Sequence, residues 1–300
     1  MSDTEEIMAL LRQFPALASF SGVPERMGGL TNRVYRIGDV VLRLPGAGTE
    51  EYIDRANEAA AALAAAGAGV SPEVIHADAT SGVRITRFIP GAATMSPVAF
   101  RTRRGSPARA GQAFARLHGS GARFPARFEL FAMIDDYLRL LSGKDVALPP
   151  GYHDVLHDAE SVRAALSART LPLAPCHCDP LCENFLDTGN RMWIVDWEYS
   201  GMNDPMWDLG DLSVEAGFDE GQEAEMMQAY FGHAPKPQDL GRMVIYKAMC
   251  DLLWTLWGLI QLANDNPADD FRAYADGRFA RCKTLMASPG FPHHLAAITA

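Results

Sequence analysis

The sequence predicts an α+β protein of two lobes, a small β-rich lobe followed by a larger, mainly helical one. Three observations lead to this prediction. Up to about residue 90, short β-branched and aromatic stretches flank one Ala-rich helical stretch. The rest mostly has the 3.6-residue apolar period of helices. Between them, Ile89-Pro90-Gly91 interrupts both patterns. We therefore expect an N-terminal lobe over 1–89, a hinge, and a C-terminal lobe over 90–300.

The N-terminal elements follow from local composition. Residues 1–20 are typical of a short amphipathic helix, and 48–69 of an Ala- and Glu-rich helix that ends in a glycine cluster. The stretches TNRVYRI and DVVLRL, within 27–46, predict two strands joined by a tight turn at Gly38-Asp39. Two further strands are predicted in EVIHAD and GVRITRF.

The C-terminal lobe is predicted to be helical, with one β-rich interruption. The apolar period predicts helices near 107–119, 128–142, 154–168, 220–231, 239–264 and 268–286. The interruption covers 172–201, where a loop precedes the apolar stretches ENFLD and RMWIVDW. Because a turn at 188–190 separates these stretches, we expect a hairpin embedded among helices.

Composition excludes several classes of function. The chain has 300 residues, 48% of them hydrophobic, and a formal net charge of −10. An acidic globular chain of this kind is not expected to bind nucleic acid or an anionic membrane. The first residues are acidic where a signal peptide needs basic ones, and the apolar run at 252–263 is too short to span a bilayer. With five cysteines, an odd number, a reduced cytoplasmic setting is the simplest expectation.

The chemistry is concentrated in one segment. His177, Asp179 and Asn184 lie in a single loop, and Asp196 follows twelve residues after Asn184, where the hairpin returns. Asn184 and Asp196 offer the hard oxygen ligands that suit Mg²⁺, and Asp179 could accept a proton from a hydroxyl that attacks a γ-phosphate. A surface loop with a chance His-x-Asp and a capping aspartate is the alternative. The order of loop, hairpin and second aspartate behind a β-rich lobe favours catalysis.

The segment HCDPLCENFLDTGNRMWIVDWEYSGMNDPMWDLGDLSVEAGF, residues 177–218, resembles the choline/ethanolamine kinase family, within the aminoglycoside-phosphotransferase-like kinases. Residues 41–58 and 252–261 resemble the same family in the same order, so the likeness spans about 25–285. It implies a protein-kinase-like bilobed fold and phosphate transfer from MgATP to a small alcohol. The alternative from another class is a non-catalytic nucleotide-binding relative.

The resemblance implies a role for each matching residue. Asp179 would be the catalytic base, Asn184 and Asp196 the magnesium ligands, and His177 the scaffold of the loop. On the nucleotide side it implies a loop over the phosphates at 28–35, whose residues include Gly29, Thr31 and Asn32, and a phosphate-binding Arg43 paired with Glu58. For the loop a plain hairpin is equally plausible, and for the pair, two surface charges are the alternative.

The acceptor site is expected to be aromatic. Trp254 and Trp257 share one helix face, a spacing that by itself is more typical of a core. Tyr199, Glu215 and Tyr274 match the spacing of the choline pocket in eukaryotic choline kinases. Aromatic faces and a carboxylate suit a quaternary ammonium, at ~0.5–2 kcal/mol per cation–π contact. Ethanolamine could bind the same residues, whereas an aminoglycoside would need many carboxylates.

Some features limit the prediction. Leu181 stands where many choline kinases have a glutamine near the substrate hydroxyl, so we expect the acceptor to be positioned without that amide. The cluster Cys176, Cys178 and Cys182 lacks zinc-finger spacing, so we expect inert thiols rather than metal ligands. Asp208 is expected to brace the catalytic loop or cap a helix, and His118 to be structural. The partner is a small molecule, and a homodimer is possible.

Overall fold

A five-stranded antiparallel sheet forms the N-terminal part of the protein. The computed structural model describes residues 3–14, 22–28, 32–46, 53–169 and 171–299. The strands of the sheet are β1 (Glu25–Gly28), β2 (Arg33–Ile37), β3 (Val40–Leu44), β4 (Val74–Ala77) and β5 (Arg84–Arg87). Their order is β1-β2-β3-β5-β4. Four of these strands match the predicted ones. The fifth, β1, was not predicted, because its residues ERMG lack the β-branched pattern and are extended through pairing with β2.

The predicted turn between β2 and β3 is confirmed, and it directs Arg43 away from the sheet's own core. Gly38 has a φ of +61°, and Ile37 pairs with Val40 across the turn. Because side chains alternate along a strand, Leu42 and Leu44 share one face, while Arg43 projects from the other. The first face packs with helix α1 (Asp3–Leu11) in a small apolar core.

Helix α2 (Arg55–Gly67) connects the sheet to the rest of the protein. Its N-cap Asp54 accepts hydrogen bonds from the backbone N–H groups of Ala56 and Asn57. Its buried alanines, Ala61, Ala62 and Ala65, belong to the large C-terminal core rather than to the core under the sheet. The helix predicted over 48–69 is thus present, with 48–52 outside the described residues. The lobe boundary at residues 89 and 90 stays a prediction.

The C-terminal part is mainly helical, as predicted. Its helices are α3 (Pro97–Thr102), α4 (Ser106–His118), α5 (Leu130–Leu141), α6 (Tyr152–Ser167), α7 (Met206–Ala216), α8 (Glu220–Phe231), α9 (Pro237–Ala263), α10 (Phe271–Met286) and α11 (Phe291–Thr299). Six of them match the predicted helices within a few residues. Helix α7 was not predicted because it is buried on nearly all sides, so it has no amphipathic period to detect.

Short strands among these helices hold the functional loop. They are β6 (Ala93–Thr94), β7 (Ala174–Cys176), β8 (Phe185–Asp187), β9 (Met192–Ile194) and β10 (Gly201–Asn203). Strands β8 and β9 form the predicted hairpin, β6 extends it, and β7 pairs with β10. The loop between β7 and β8 therefore has a strand anchored on each side.

Helix α9 is the central element of the C-terminal core. Within the described part of the chain it is the one helix long and apolar enough to cross a membrane, with 27 residues. However, 83% of its most apolar window is buried inside the protein. It packs against α5, α7, α10 and α11.

We predict opposite effects of adding a methyl group at two helical glycines. A Cβ at Gly111 in α4 would lie 2.2 Å from the Met226 carbonyl oxygen of α8, so Gly111→Ala should lower the free energy of unfolding by about 1–3 kcal/mol. A Cβ at Gly277 in α10 would meet nothing within 4 Å, so Gly277→Ala should raise it by about 0.5–1 kcal/mol. Urea unfolding measures both, and equal effects at the two sites would contradict the close α4–α8 contact.

Candidate active site

The loop that follows β7 is held by a single buried carboxylate. Asp208, near the start of α7, accepts hydrogen bonds from the backbone N–H groups of His177 and Cys178, both at 2.8 Å. Trp207, its neighbour, donates its indole N–H to the Cys178 carbonyl at 3.0 Å. Cys178 has a φ of +68°, a left-handed conformation that is uncommon for a non-glycine residue. The backbone around Asp179 is thus fixed from both sides.

His118 completes this support. Its Nε2 lies 3.0 Å from the Asp208 carboxylate, and its Nδ1 lies 3.0 Å from the Tyr230 hydroxyl. Asp208 is fully buried, so it needs each of these partners. The predictions that Asp208 braces the loop and that His118 is structural are confirmed.

His177 joins the loop to the hairpin. Its Nε2–H donates to the Val195 carbonyl at 2.8 Å, one residue before Asp196. Its ring packs edge-to-face on Trp197, with the centroids 4.9 Å apart. Burial lowers the pKa of His177, which favours the neutral ring, and only a neutral ring lets Nδ1 accept the Asp179 backbone N–H at 3.4 Å. The structure therefore places His177 as a support for the loop, in line with the role implied by the sequence.

Asn184 and Asp196 are neighbours at the base of the hairpin. The Val195 N–H donates to the Asn184 carbonyl at 2.9 Å, and the Asn184 amide N–H donates to the Asp179 carbonyl at 3.0 Å. The amide oxygen of Asn184 and the half-buried carboxylate of Asp196, whose Oδ1 also contacts Arg43, are the atoms that could bind a ligand here. Because both are hard oxygen donors, this pair fits Mg²⁺.

A buried ion-pair network joins the sheet to this hairpin. Arg43 contacts Glu58 of α2, the Asp196 carboxylate at 3.1 Å and the Glu198 carboxylate at 2.6 Å. The predicted pair of Arg43 and Glu58 is confirmed. Arg84 and Arg55 also bind Glu58, each at 3.0 Å. Burial alone would lower the pKa of Arg43, but the three carboxylates outweigh it and raise the pKa.

Glu198 is a member of this network that the sequence did not reveal. It accepts hydrogen bonds from Arg43 and from the amide of Asn32, the latter at 3.2 Å. Burial, followed by the charge of Asp196, raises the pKa of Glu198 to about 7. Asn32, predicted to lie over the phosphates, thus reaches the site, whereas Gly29 and Thr31 lie outside the described residues. The position of Glu198 two residues after Asp196 was the available signal.

The surroundings of Asp196 lower its pKa, whereas those of Asp179 raise its pKa. Burial alone would raise the pKa of Asp196, but the charges of Arg43 and Arg84 outweigh it and lower the pKa. For Asp179, burial and the charges of Asp211 and Glu198 act together and raise the pKa well above its usual value. Asp179 thus lies between acidic groups of the nucleotide side and acidic groups of the aromatic cluster described next.

Four predicted aromatic residues form one cluster beside Asp179. Tyr199 packs edge-to-face on Trp254 at 5.4 Å between centroids, and Trp257 packs on Tyr274 at 5.6 Å. The Trp257 indole N–H donates to the Tyr199 hydroxyl at 2.8 Å. Trp254 is 3% exposed, while the other three rings remain partly accessible. The faces of partly accessible rings can attract a small cation.

Glu215 also lies at this cluster, but its carboxylate is paired with an arginine. Arg278 of α10 contacts it at 2.5 Å and lies over the Tyr274 ring, 4.5 Å from the centroid. Arg278 was not predicted from the sequence. Its spacing of four residues after Tyr274 on one helix was the only signal, and many surface arginines share such a spacing.

The cysteines take no visible part in this chemistry. All five are free and buried, and burial raises the pKa of the Cys176, Cys178 and Cys182 thiols. Protonated thiols are poor nucleophiles, which agrees with the predicted lack of reactivity. That these cysteines bind no metal stays a prediction.

Comparisons with known proteins identify relatives. The sequence profile of the phosphotransferase enzyme family matches residues 23–240. A choline/ethanolamine kinase family protein from Mesorhizobium loti is 68% identical, with 99% of both chains covered and a TM-score of 0.92. Choline kinase LicA from Streptococcus pneumoniae is 23% identical, with 94% of this chain and 99% of that one covered and a TM-score of 0.78. Protein LicA of Haemophilus influenzae is 28% identical over 290 residues, 90% of this chain and 80% of the relative. These matches confirm the predicted bilobed kinase-like fold.

We predict that Asp208→Asn destabilises the protein by about 2 kcal/mol or more. The amide offers one oxygen where the carboxylate accepts two backbone N–H groups, so a buried donor loses its partner. Asp219→Asn is the matched control, because Asp219 caps α8 through one oxygen and asparagine caps a helix equally well. Urea unfolding should separate the two variants. Equal stability would refute the bracing role of Asp208.

Proposed function

The chain belongs to the phosphotransferase enzyme family, and within it to the choline/ethanolamine kinases, and we propose that it transfers the γ-phosphate of ATP to the hydroxyl of choline. Membership makes it an enzyme that phosphorylates an alcohol group, and its relatives indicate an amino alcohol. The observation that most supports choline is the aromatic cluster of Tyr199, Trp254, Trp257 and Tyr274 beside Asp179. A quaternary ammonium has no N–H to donate, so ring faces and diffuse negative charge are what can hold it.

Asp179 is the proposed catalytic base. It is half-buried at the tip of a loop whose backbone is fixed by Asp208. Burial raises the pKa of Tyr274 in the aromatic cluster, and the charge of Asp179 adds to this effect. A base in that position can accept the proton of an acceptor hydroxyl as the oxygen attacks phosphorus. A fixed loop keeps the base aligned, which is where a phosphotransferase gains most of its rate.

Asn184 and Asp196 are the proposed Mg²⁺ ligands, and Arg43 is the proposed phosphate contact. The metal, when bound with ATP, would offset the charge that develops on the transferring phosphoryl group. Arg43 presents a fixed charge beside Asp196 from the sheet side. Glu58 and Glu198 keep that guanidinium in place while the nucleotide is absent.

The experiment that tests the proposal is an ADP-release assay with MgATP and three separate acceptors, namely choline, ethanolamine and kanamycin. We expect the highest kcat/KM with choline. A higher value with ethanolamine would keep the fold and mechanism but reassign the acceptor. A higher value with kanamycin would reduce the aromatic cluster to core packing. No turnover with any of them would overturn the proposed function.

We predict that Asp179→Asn lowers kcat for the preferred acceptor by about 10²–10⁴-fold, because the amide cannot accept the proton. Affinity for the nucleotide should stay within about threefold, since Asp179 is not a proposed phosphate contact. Steady-state kinetics and nucleotide titration provide the two readouts. A variant that keeps a tenth or more of the wild-type kcat would contradict the role of base.

We predict that Asp196→Asn raises the Mg²⁺ concentration for half-maximal activity by at least about tenfold, because ligand charge sets the affinity for this hard cation. Glu183→Gln is the matched control, since it removes an exposed carboxylate next to Asn184 that is not a proposed ligand. Activity is measured at fixed ATP across a Mg²⁺ series. Equal shifts in both variants would indicate a general loss of negative charge rather than a lost ligand.

A further inference from the structure

Glu215, the carboxylate to which the sequence points, does not supply the negative charge of the proposed acceptor site. Arg278 lies 2.5 Å from the Glu215 carboxylate and 3.3 Å from that of Asp251. Its guanidinium also covers one face of Tyr274. A cation of the protein itself thus already offsets Glu215, and this contact is buried, where an ion pair is weakly screened.

Asp251 of α9 is compensated as well. Its two oxygens accept hydrogen bonds from Nε and Nη2 of Arg281, both at 2.7 Å. This is the two-pronged geometry that arginine forms with a carboxylate, and it is among the stronger ion pairs in proteins. Two carboxylates next to the cluster are therefore matched by two guanidinium groups.

Asp211 is the third carboxylate, and it has no such partner. It lies one helical turn before Glu215 on α7 and is 1% exposed. Its Oδ2 accepts the Trp254 indole N–H at 3.1 Å, whereas its Oδ1 is buried without a hydrogen-bond partner among the described residues. The thiol of Cys250 lies beside it and is only a weak donor. Within the described ranges, no arginine or lysine forms a salt bridge with Asp211.

We propose that Asp211 supplies the negative charge that selects a singly charged cation as acceptor, and that this charge acts through the indole ring of Trp254. The inference rests on the proposed function, since it takes the aromatic cluster as the acceptor site. A carboxylate that accepts the indole N–H makes the ring more electron-rich. The ring face then attracts a cation more strongly, in a buried setting of low dielectric constant.

The number of charges defines the class of acceptor. Apart from Asp179, the proposed base, three carboxylates of this side face only two guanidinium groups: Asp211, Glu215 and Asp251 against Arg278 and Arg281. One of the three is therefore left without a positive partner among the described residues. One ammonium group on a small alcohol balances it. Burial and the charge of Glu215 raise the pKa of Asp211 well above its usual value, and a bound ammonium group would lower that pKa again and favour the charged carboxylate. An acceptor with several ammonium groups would leave all but one of its positive charges without a carboxylate partner.

The test compares choline with 3,3-dimethylbutan-1-ol, its uncharged carbon isostere, in wild type and Asp211→Asn. Asparagine keeps the shape and an oxygen for the Trp254 N–H but removes the charge. We expect KM for choline to rise about tenfold, as one cation–π contact of this strength would give, with kcat little changed. For the neutral alcohol, KM should stay within about twofold of the wild-type value. If this alcohol acts only as a competitive inhibitor, its inhibition constant takes the place of KM. Asp276→Asn, an exposed aspartate of α10, is the control.

Trp254→Phe provides an independent variant if Asp211→Asn fails to fold. Phenylalanine keeps an aromatic ring but lacks the N–H that connects Trp254 to Asp211. We expect the same selective loss for choline, and the double variant should cost less than the two single effects combined. Equal losses for choline and the neutral alcohol, or no loss for either, would overturn the inference. Absence of turnover in wild type would instead refute the proposed function itself.

Discussion

The site depends on how Arg43 is buried. A guanidinium removed from water costs several kcal/mol unless carboxylates surround it. Here Glu58 comes from α2, while Asp196 and Glu198 come from the end of the hairpin. Because one cation needs all three, the sheet, α2 and the hairpin are held in a single relative arrangement. The packing of α2 alanines in the C-terminal core strengthens this connection.

Buried charges on the proposed acceptor side also need partners of opposite sign, but one carboxylate there has no such partner within the described ranges. Arg278 and Arg281 compensate Glu215 and Asp251, but they belong to α10 and approach from one side only. Among the described residues, Asp211 on α7 forms no salt bridge with either arginine and accepts the Trp254 indole N–H instead. Positive and negative side-chain charges therefore nearly balance around Arg43. Around the aromatic cluster, one carboxylate has no positive partner in the part of the chain that the structure describes. The proposed nucleotide site, which would receive anions, and the proposed acceptor site, which would receive a cation, differ in this balance.

The sequence allowed the prediction of most of the fold and pointed to the proposed catalytic segment, because His177, Asp179, Asn184 and Asp196 lie in one stretch with a characteristic spacing. It could not separate the roles of Asp208 and Asp211. Both are buried acids three residues apart on α7, and only the packing of that helix directs one to the loop and the other to Trp254. Arg278 was missed for the same reason, since its partners come from α7 and α9.

Backbone strain explains why such strong supports are needed around the loop of Asp179, the proposed base. Cys178 and Asp196 both have left-handed backbones, with φ of +68° and +66°, which cost about 1–3 kcal/mol each at non-glycine residues. Glycine would relieve the strain, but it would leave the chain free to move on either side of Asp179, and at 196 it would remove the carboxylate. Asp208 stabilises the first position through two N–H groups, and Arg43 stabilises the second through the side chain. The two strained positions and their two supports thus determine together where the proposed base and the proposed metal ligand point.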